Sequence, residues 1–270
     1  MTLISPFLDT AAVCLDNLTV SYRSHPALHH ISGSFLRGSL TAVVGPNGSG
    51  KSTLLKSIMG LLPIVESQLT VHVPHQRVAY LPQVTEIDRS FPISVHDCIL
   101  LGCWHDSGAY GAVTSLMLKR INLALTAVGL QGFEKRNIGS LSGGQLQRAL
   151  FARLLVQDAD LFLLDEPFNA VDTKTLTGLL SLINQWHGQK RTIIAVLHDD
   201  AIVRTHFPNT LLLARELVAW GDTTLVLTED NLRRSQIMTE AWDETAGMCN
   251  IDALIAQSLT TPFTSLKEVA

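Results

Sequence analysis

Residues 45–53 read Gly45-Pro46-Asn47-Gly48-Ser49-Gly50-Lys51-Ser52-Thr53, and the reading of this stretch decides the fold. The segment before it, Leu40 to Val44, is a short apolar run typical of a strand buried on both faces. Behind it, Leu54, Leu55, Ile58 and Met59 fall on one face of a helix, with Gly60 placed to end it. Strand, glycine loop and helix in that order are the context a phosphate-binding loop requires. The glycines let successive backbone N–H groups turn inward around phosphate oxygens, and the helix adds its positive N-terminal end. In that setting Lys51 is a point charge bridging the β- and γ-phosphates, and the Ser52 hydroxyl is a Mg²⁺ ligand. Alone, the motif implies a nucleoside triphosphate and no more.

Working outward, Val13 to Tyr22 alternates apolar and polar residues and predicts a strand with one buried face. A turn at Ser24-His25-Pro26 and a second strand over Ile31 to Leu36 follow. Val78 to Leu81 is the next buried strand, ending at Pro82-Gln83. From Ser94 to about Asp158 the periodicity is helical. Ser94 and Asp97 resemble a capping box, and Leu118, Ile121, Leu125 and Val128 share one helical face before Gly129. Strands return at Leu161–Leu164, Ile193–Leu197, Leu211–Leu213 and Leu217–Trp220, the last two flanking a tight turn. The chain therefore reads as an α/β core interrupted by a helical insertion. Core residues 12–83 and 151–232 enclose the insertion at 84–150. A tail at 233–270 carries a weak helical pattern in Ile237, Ala241, Thr245 and Met248.

Composition narrows the function classes. In 270 residues, 46% are hydrophobic and 16% charged, enough apolar material for a substantial core. The formal charge of −4 argues against an electrostatic nucleic-acid binder. Mean hydropathy is high at +0.24, yet no run of about 18 apolar residues free of charge stands out to span a bilayer. An apolar chain of this kind is expected to cover part of its surface with a partner. The N-terminal stretch has no basic segment followed by an apolar core, so no signal peptide is expected. Cys14, Cys98, Cys103 and Cys249 are scattered and read as free thiols of a reducing compartment. His29-His30 and His72-x-x-His75 lack a Cys or carboxylate cluster at ligand spacing, so no protein-bound metal is expected from them.

Two further stretches carry chemistry. Residues 161–166 read LFLLDE, a buried strand presenting two carboxylates at its C-terminal edge, 114 residues beyond Lys51. Asp165 is placed to hold Mg²⁺ through water, and Glu166 to polarise the attacking water as general base. Leu141-Ser142-Gly143-Gly144-Gln145 precedes a helix with Leu146, Leu150 and Leu154 on one face. Its glycines leave backbone N–H groups open at a helix N-terminus, a second anion site. Two phosphate-binding helix ends in one chain, serving one nucleotide, are most simply reconciled by a head-to-tail pair of chains.

With these motifs the sequence resembles the ATP-binding cassette ATPases over about residues 12 to 232. GPNGSGKS resembles the Walker A motif, LFLLDE the Walker B motif and LSGGQ the family signature. Gln83 after Tyr80-Leu81-Pro82 resembles the Q-loop, and His198 after the Ile193–Leu197 strand resembles the switch histidine. Tyr22 stands where relatives stack an aromatic ring on adenine. Asn169-Ala170-Val171-Asp172 resembles the D-loop, with Asn169 where Gly or Thr is common. The resemblance implies a RecA-like P-loop NTPase core with a β-rich N-terminal subdomain and an inserted helical subdomain carrying LSGGQ. It implies ATP and Mg²⁺ as cofactors, with Ser52, Gln83 and Asp165 around the metal. It further implies Lys51, Gln83, Glu166 and His198 in hydrolysis, and Ser142, Gly143, Gly144, Gln145 and Asp172 at the nucleotide across a homodimer.

Only 87 residues separate Thr53 from Leu141, which excludes the long coiled-coil insertion of chromosome and repair members. A single cassette without membrane helices leaves the separate ATPase subunit of a membrane permease. Phe91-Pro92-Ile93-Ser94-Val95-His96-Asp97 and the residues through Gly102 resemble a segment of ATPases serving bacterial zinc and manganese importers. Trp104, Tyr110 and Gly111 stand where those proteins have an aromatic-glycine stretch. The expected partners are a second ATPase subunit, an integral membrane permease and, indirectly, an extracytoplasmic solute-binding protein. The expected place is the cytoplasmic face of the membrane. Iron-chelate or cobalamin importers, and a non-transport cassette ATPase, remain alternatives; a small-molecule kinase has no use for LSGGQ.

Overall fold

Five parallel strands and one antiparallel edge strand build the sheet that carries the glycine loop. The computed structural model describes residues 10–22, 25–64, 68–108, 111–169 and 171–240. In this sheet β3 (Leu40–Val44), β5 (Val78–Leu81), β6 (Leu161–Asp165), β7 (Thr192–Val196), β8 (Asn209–Ala214) and β9 (Glu216–Asp222) lie in the order β5-β6-β7-β3-β8-β9. Only β9 runs antiparallel, joined to β8 through Arg215 at φ +62°. Every residue of β3, β6 and β7 is buried. That is why their sequences are nearly continuous apolar runs rather than alternating ones.

Side chains alternate between the two faces of this sheet. Leu40, Ala42, Phe162, Leu164, Ile193 and Ala195 belong to one core, and Val43, Leu161, Leu163, Ile194 and Val196 to the other. The second core is closed by α1 (Lys51–Ile58) and by a small antiparallel sheet. That sheet comprises β1 (Ala11–Tyr22), β2 (His25–Leu36) and β4 (Leu69–Val71) in the order β2-β1-β4. Here the structure departs from expectation. His25 and Pro26 belong to β2 and pair with Tyr22 and Ser21, so the hairpin runs further than the turn-like residues predict. Proline is tolerated near a strand start, where its missing N–H breaks little of the ladder. The three-residue β4 was not anticipated from the sequence, being too short to show a period.

The first core is closed by helices. After β5 come α2 (Val95–Leu100), the short α3 (Trp104–Ser107), α4 (Ser115–Ala127) and α5 (Gly143–Val156). Ser94 caps α2 by accepting the Asp97 N–H, as the sequence predicts. In α4 the buried face is Met117, Ile121, Ala124 and Leu125, with Val128 just beyond; Leu118 is 41% exposed. Met117 takes the place expected of Leu118, because spacing by four from Ile121 leads back to 117. A capping box between Ser142 and Gln145 starts α5. At its far end, Arg153 Nη2 donates to Tyr80 O at 2.8 Å and Gln157 Nε2 to Val78 O at 3.0 Å. The signature helix is thus anchored on β5. Phe151 of α5, Trp186 of α6 (Thr173–Gly188) and Phe162 of β6 form a stack, with Trp186 centroids 6.3 and 4.2 Å from its neighbours.

The last helices among the described residues are α7 (Asp200–His206), α8 (Thr223–Val226) and α9 (Glu229–Glu240). The helical pattern expected through Ala241, Thr245 and Met248 falls outside the described residues beyond Glu240, as does Cys249. Among the described residues, no helix is long and apolar enough to cross a membrane.

Candidate nucleotide site

The loop from Gly45 to Gly50 leaves the C-terminal end of β3 and turns directly into α1, which places it at the carboxyl edge of the parallel sheet. Two glycines are required by their surroundings. A Cβ on Gly45 would stand 2.0 Å from Leu213 O, and one on Gly50, at φ +93°, would stand 2.4 Å from Ala27 O. Any side chain there would push the loop off the sheet edge.

Lys51 opens α1 and is 6% exposed. Its Nζ donates to Gly45 O at 2.9 Å and Pro46 O at 2.7 Å, so the ammonium folds back over the loop. Burial pulls its pKa down, opposed by the charges of Glu166 and Asp165. Ser52 Oγ donates to Asp165 Oδ1 at 3.1 Å. Asp165, the last residue of β6, is fully buried, and burial pushes its carboxyl pKa above the ordinary carboxylate value. Its Oδ2 is buried with no hydrogen-bond partner, and so is Ser49 Oγ in the loop.

Glu166 sits just beyond the strand at φ +50°, an unusual backbone for a residue with a side chain. Its Oε1 accepts from Gln83 Nε2 at 2.8 Å and from His198 Nε2 at 2.8 Å, and its Oε2 accepts from Asn169 Nδ2. Gln83 Nε2 also lies 3.4 Å from Ser52 Oγ. Residues 47–53, Gln83, Glu166 and His198 line one open cavity of about 280 Å³.

The structure therefore brings together Lys51, Ser52, Gln83, Asp165, Glu166 and His198, drawn from four separate stretches of sequence. Tyr22 ends β1 opposite His25, but its side chain lies outside the described part of the molecule. Ser142, Gly143, Gly144 and Gln145 do not line the cavity. Nor does Asp172, which caps α6 by accepting from Thr175 N and Oγ1. The sequence marks Asn169 only as part of a D-loop likeness, whereas the structure sets its amide against the Glu166 carboxylate. The signal for its chemistry was its spacing, three residues after a carboxylate in a tight turn.

Comparisons with known proteins bear on the family and the fold. The family model described as ABC transporter matches residues 28–169. The zinc transport system ATP-binding protein TroB of Treponema pallidum is 39% identical over 229 residues, covering 83% of this chain and 86% of that protein. The manganese transport system ATP-binding protein MntB of Listeria monocytogenes is 39% identical over 227 residues, covering 81% and 93%. Among solved structures, an inward-facing ABC transporter described as metal-chelate type superposes with a TM-score of 0.73 at 29% identity, covering 84% of this chain and 89% of that one. The ADP conformation of the ATP-binding cassette MJ1267 gives 0.70 at 20% identity, over 84% and 98%, a likeness of fold. A glycine loop, a strand-end acid pair and a signature helix in one such fold, with relatives of this closeness, mean that the chain belongs to the ABC transporter family as one of its ATP-binding subunits.

Proposed function

We propose that the chain is the ATP-hydrolysing subunit of a membrane importer for a divalent metal ion, zinc or manganese. It works as a head-to-tail pair on the cytoplasmic face of a membrane permease fed by an extracytoplasmic solute-binding protein. The observation that carries the cargo reading is the 39% identity to a zinc and a manganese transport ATPase, which spans the Phe91–Gly102 segment singled out in the sequence.

The chemistry follows from the cavity. Lys51 and the loop N–H groups hold the phosphates. Glu166 Oε1 takes a proton from the attacking water, and His198 Nε2, which now bonds that oxygen, is placed to turn its N–H to the γ-phosphate. Asp165 fits a Mg²⁺ site: its Oδ2 is buried without a hydrogen-bond partner and its Oδ1 meets Ser52 Oγ, carboxylate and hydroxyl oxygens suited to a hard cation, to which Gln83 would add its carboxamide oxygen by turning its amide. Bound there, the ion would offset the negative charge of the triphosphate. Ser142, Gly143, Gly144, Gln145 and Asp172, which do not line the cavity of their own chain, act on the nucleotide of the partner. Gln83 joins the cavity to the helical insertion and passes the ATP state to the permease.

The test is reconstitution of the chain with its membrane subunit in proteoliposomes. ATP-dependent uptake of zinc or manganese, lost with Glu166→Gln, is expected. Uptake of an iron chelate or cobalamin, with neither ion carried, would overturn the cargo reading and leave the ATPase reading standing.

A further inference from the structure

Glu166 has a third side-chain partner besides Gln83 and His198. The cavity side of its carboxylate, Oε1, is met by Gln83 and His198 at 2.8 Å each. The other oxygen is held by the side-chain amide of Asn169. Asn169 also donates its backbone N–H to Glu166 O at 3.3 Å. One residue thus grips Glu166 at both ends, closing the turn that keeps its backbone at φ +50° and fixing the rotation of its carboxylate.

The orientation matters because the terminal torsion of a glutamate is soft, so an unheld carboxylate swings its plane over a wide range. A donor fixed on Oε2 removes that freedom and leaves Oε1 aimed into the cavity. Bases in hydrolytic sites are commonly oriented by such a third group. Asparagine suits the place: its side chain is short enough to curl back within a tight turn, and its amide donates where aspartate would repel. We propose that Asn169 is a positioning residue that aims the Glu166 carboxylate at the attacking water. The inference rests on Glu166 being the general base.

The experiment compares steady-state Mg-ATP hydrolysis by the purified full-length chain and its Asn169→Ala, Asn169→Asp, Asn169→Ser and Glu166→Gln variants, with thermal midpoints measured alongside. Asn169 does not line the nucleotide cavity, so kcat should move while KM for ATP and the midpoint stay. Asn169→Ala is expected to lower kcat about tenfold. Asn169→Asp keeps the shape and turn preference but sets two carboxylates face to face, and should fall further. Asn169→Ser retains a short donor and should recover part of the loss. If both Ala and Asp variants keep kcat within about twofold of the parent while Glu166→Gln is inactive, the positioning role is wrong and the base stands. If kcat falls only together with the thermal midpoint, Asn169 is a structural prop and the inference is overturned. If Glu166→Gln itself turns over normally, the base reading fails first and this inference falls with it.

Discussion

The parallel sheet and the helical insertion bury their apolar residues to different degrees. Every position of β3, β6 and β7 is covered on both faces, and the cavity lined by Lys51, Gln83, Glu166 and His198 lies at the ends of these strands. The insertion leaves Phe91, Leu101, Trp104, Val113, Leu116, Leu118 and Leu123 between 41% and 65% exposed. These are seven of the eleven large hydrophobics exposed among the described residues, in a stretch of 33 positions. The core completes itself, while the insertion presents apolar surface of the kind that partners cover. Damage to the first should show in the free chain, and damage to the exposed face of the second only when a partner is present.

The largest effect expected is that of Glu166→Gln. Removing the carboxylate that bonds Gln83 and His198 should lower hydrolysis about a thousandfold with ATP binding retained. A radiometric phosphate-release assay beside nucleotide titration checks it, and turnover near the parent rate would mean that the chemistry is not seated in the core. Next comes Phe162→Ala. Its ring is fully buried against Trp186, and truncation should cost about 3–5 kcal/mol in chemical denaturation. A loss confined to part of the unfolding transition would show that sheet and insertion unfold separately.

Trp104→Ala reverses that pattern. The residue is 57% exposed, so the melting temperature and free ATPase should hardly change. Affinity for the membrane partner should drop about thirtyfold, the equivalent of about 2 kcal/mol. A strongly lowered melting temperature would place Trp104 in the insertion's own packing. Tyr110, the other aromatic of that aromatic-glycine stretch, lies outside the described residues.

The smallest effect is that of Asp165→Asn. Burial raises the folded-state pKa of this carboxyl above its unfolded value, so its contribution to stability is full below the unfolded pKa and is lost as pH rises through the folded one. Near neutrality the buried carboxylate is therefore a liability. The amide should slightly raise the melting temperature of the nucleotide-free chain at pH 7, with the difference closing towards about pH 4. A lower melting temperature at pH 7 would mean that the hydrogen bond from Ser52 outweighs burial.

The same contrast explains what was legible in the sequence. Leu40–Val44 and Val78–Leu81 are strands with the bounds expected, because burial on both faces admits little but apolar residues. The glycine loop and the acid pair were legible because phosphate and metal chemistry admits few residue types. On α4 the expected face holds at Ile121, Leu125 and Val128 and fails only at Leu118, since a helix rich in leucine on several sides does not announce which residue leads the covered face. Asn169 escaped for another reason: its role lies in a contact three residues back, and an asparagine in a turn ordinarily signals only the turn.

The anchoring of α5 has a mechanical consequence. Fourteen residues of helix make a rod about 21 Å long, stiff on the scale of thermal motion. One tip carries Gly143 and Gly144. The other is bolted by Arg153 to the carbonyl of Tyr80, three residues before Gln83. A force that tilts this rod at its glycine tip arrives at the strand end beside Gln83 as torque, without any intervening joint to absorb it.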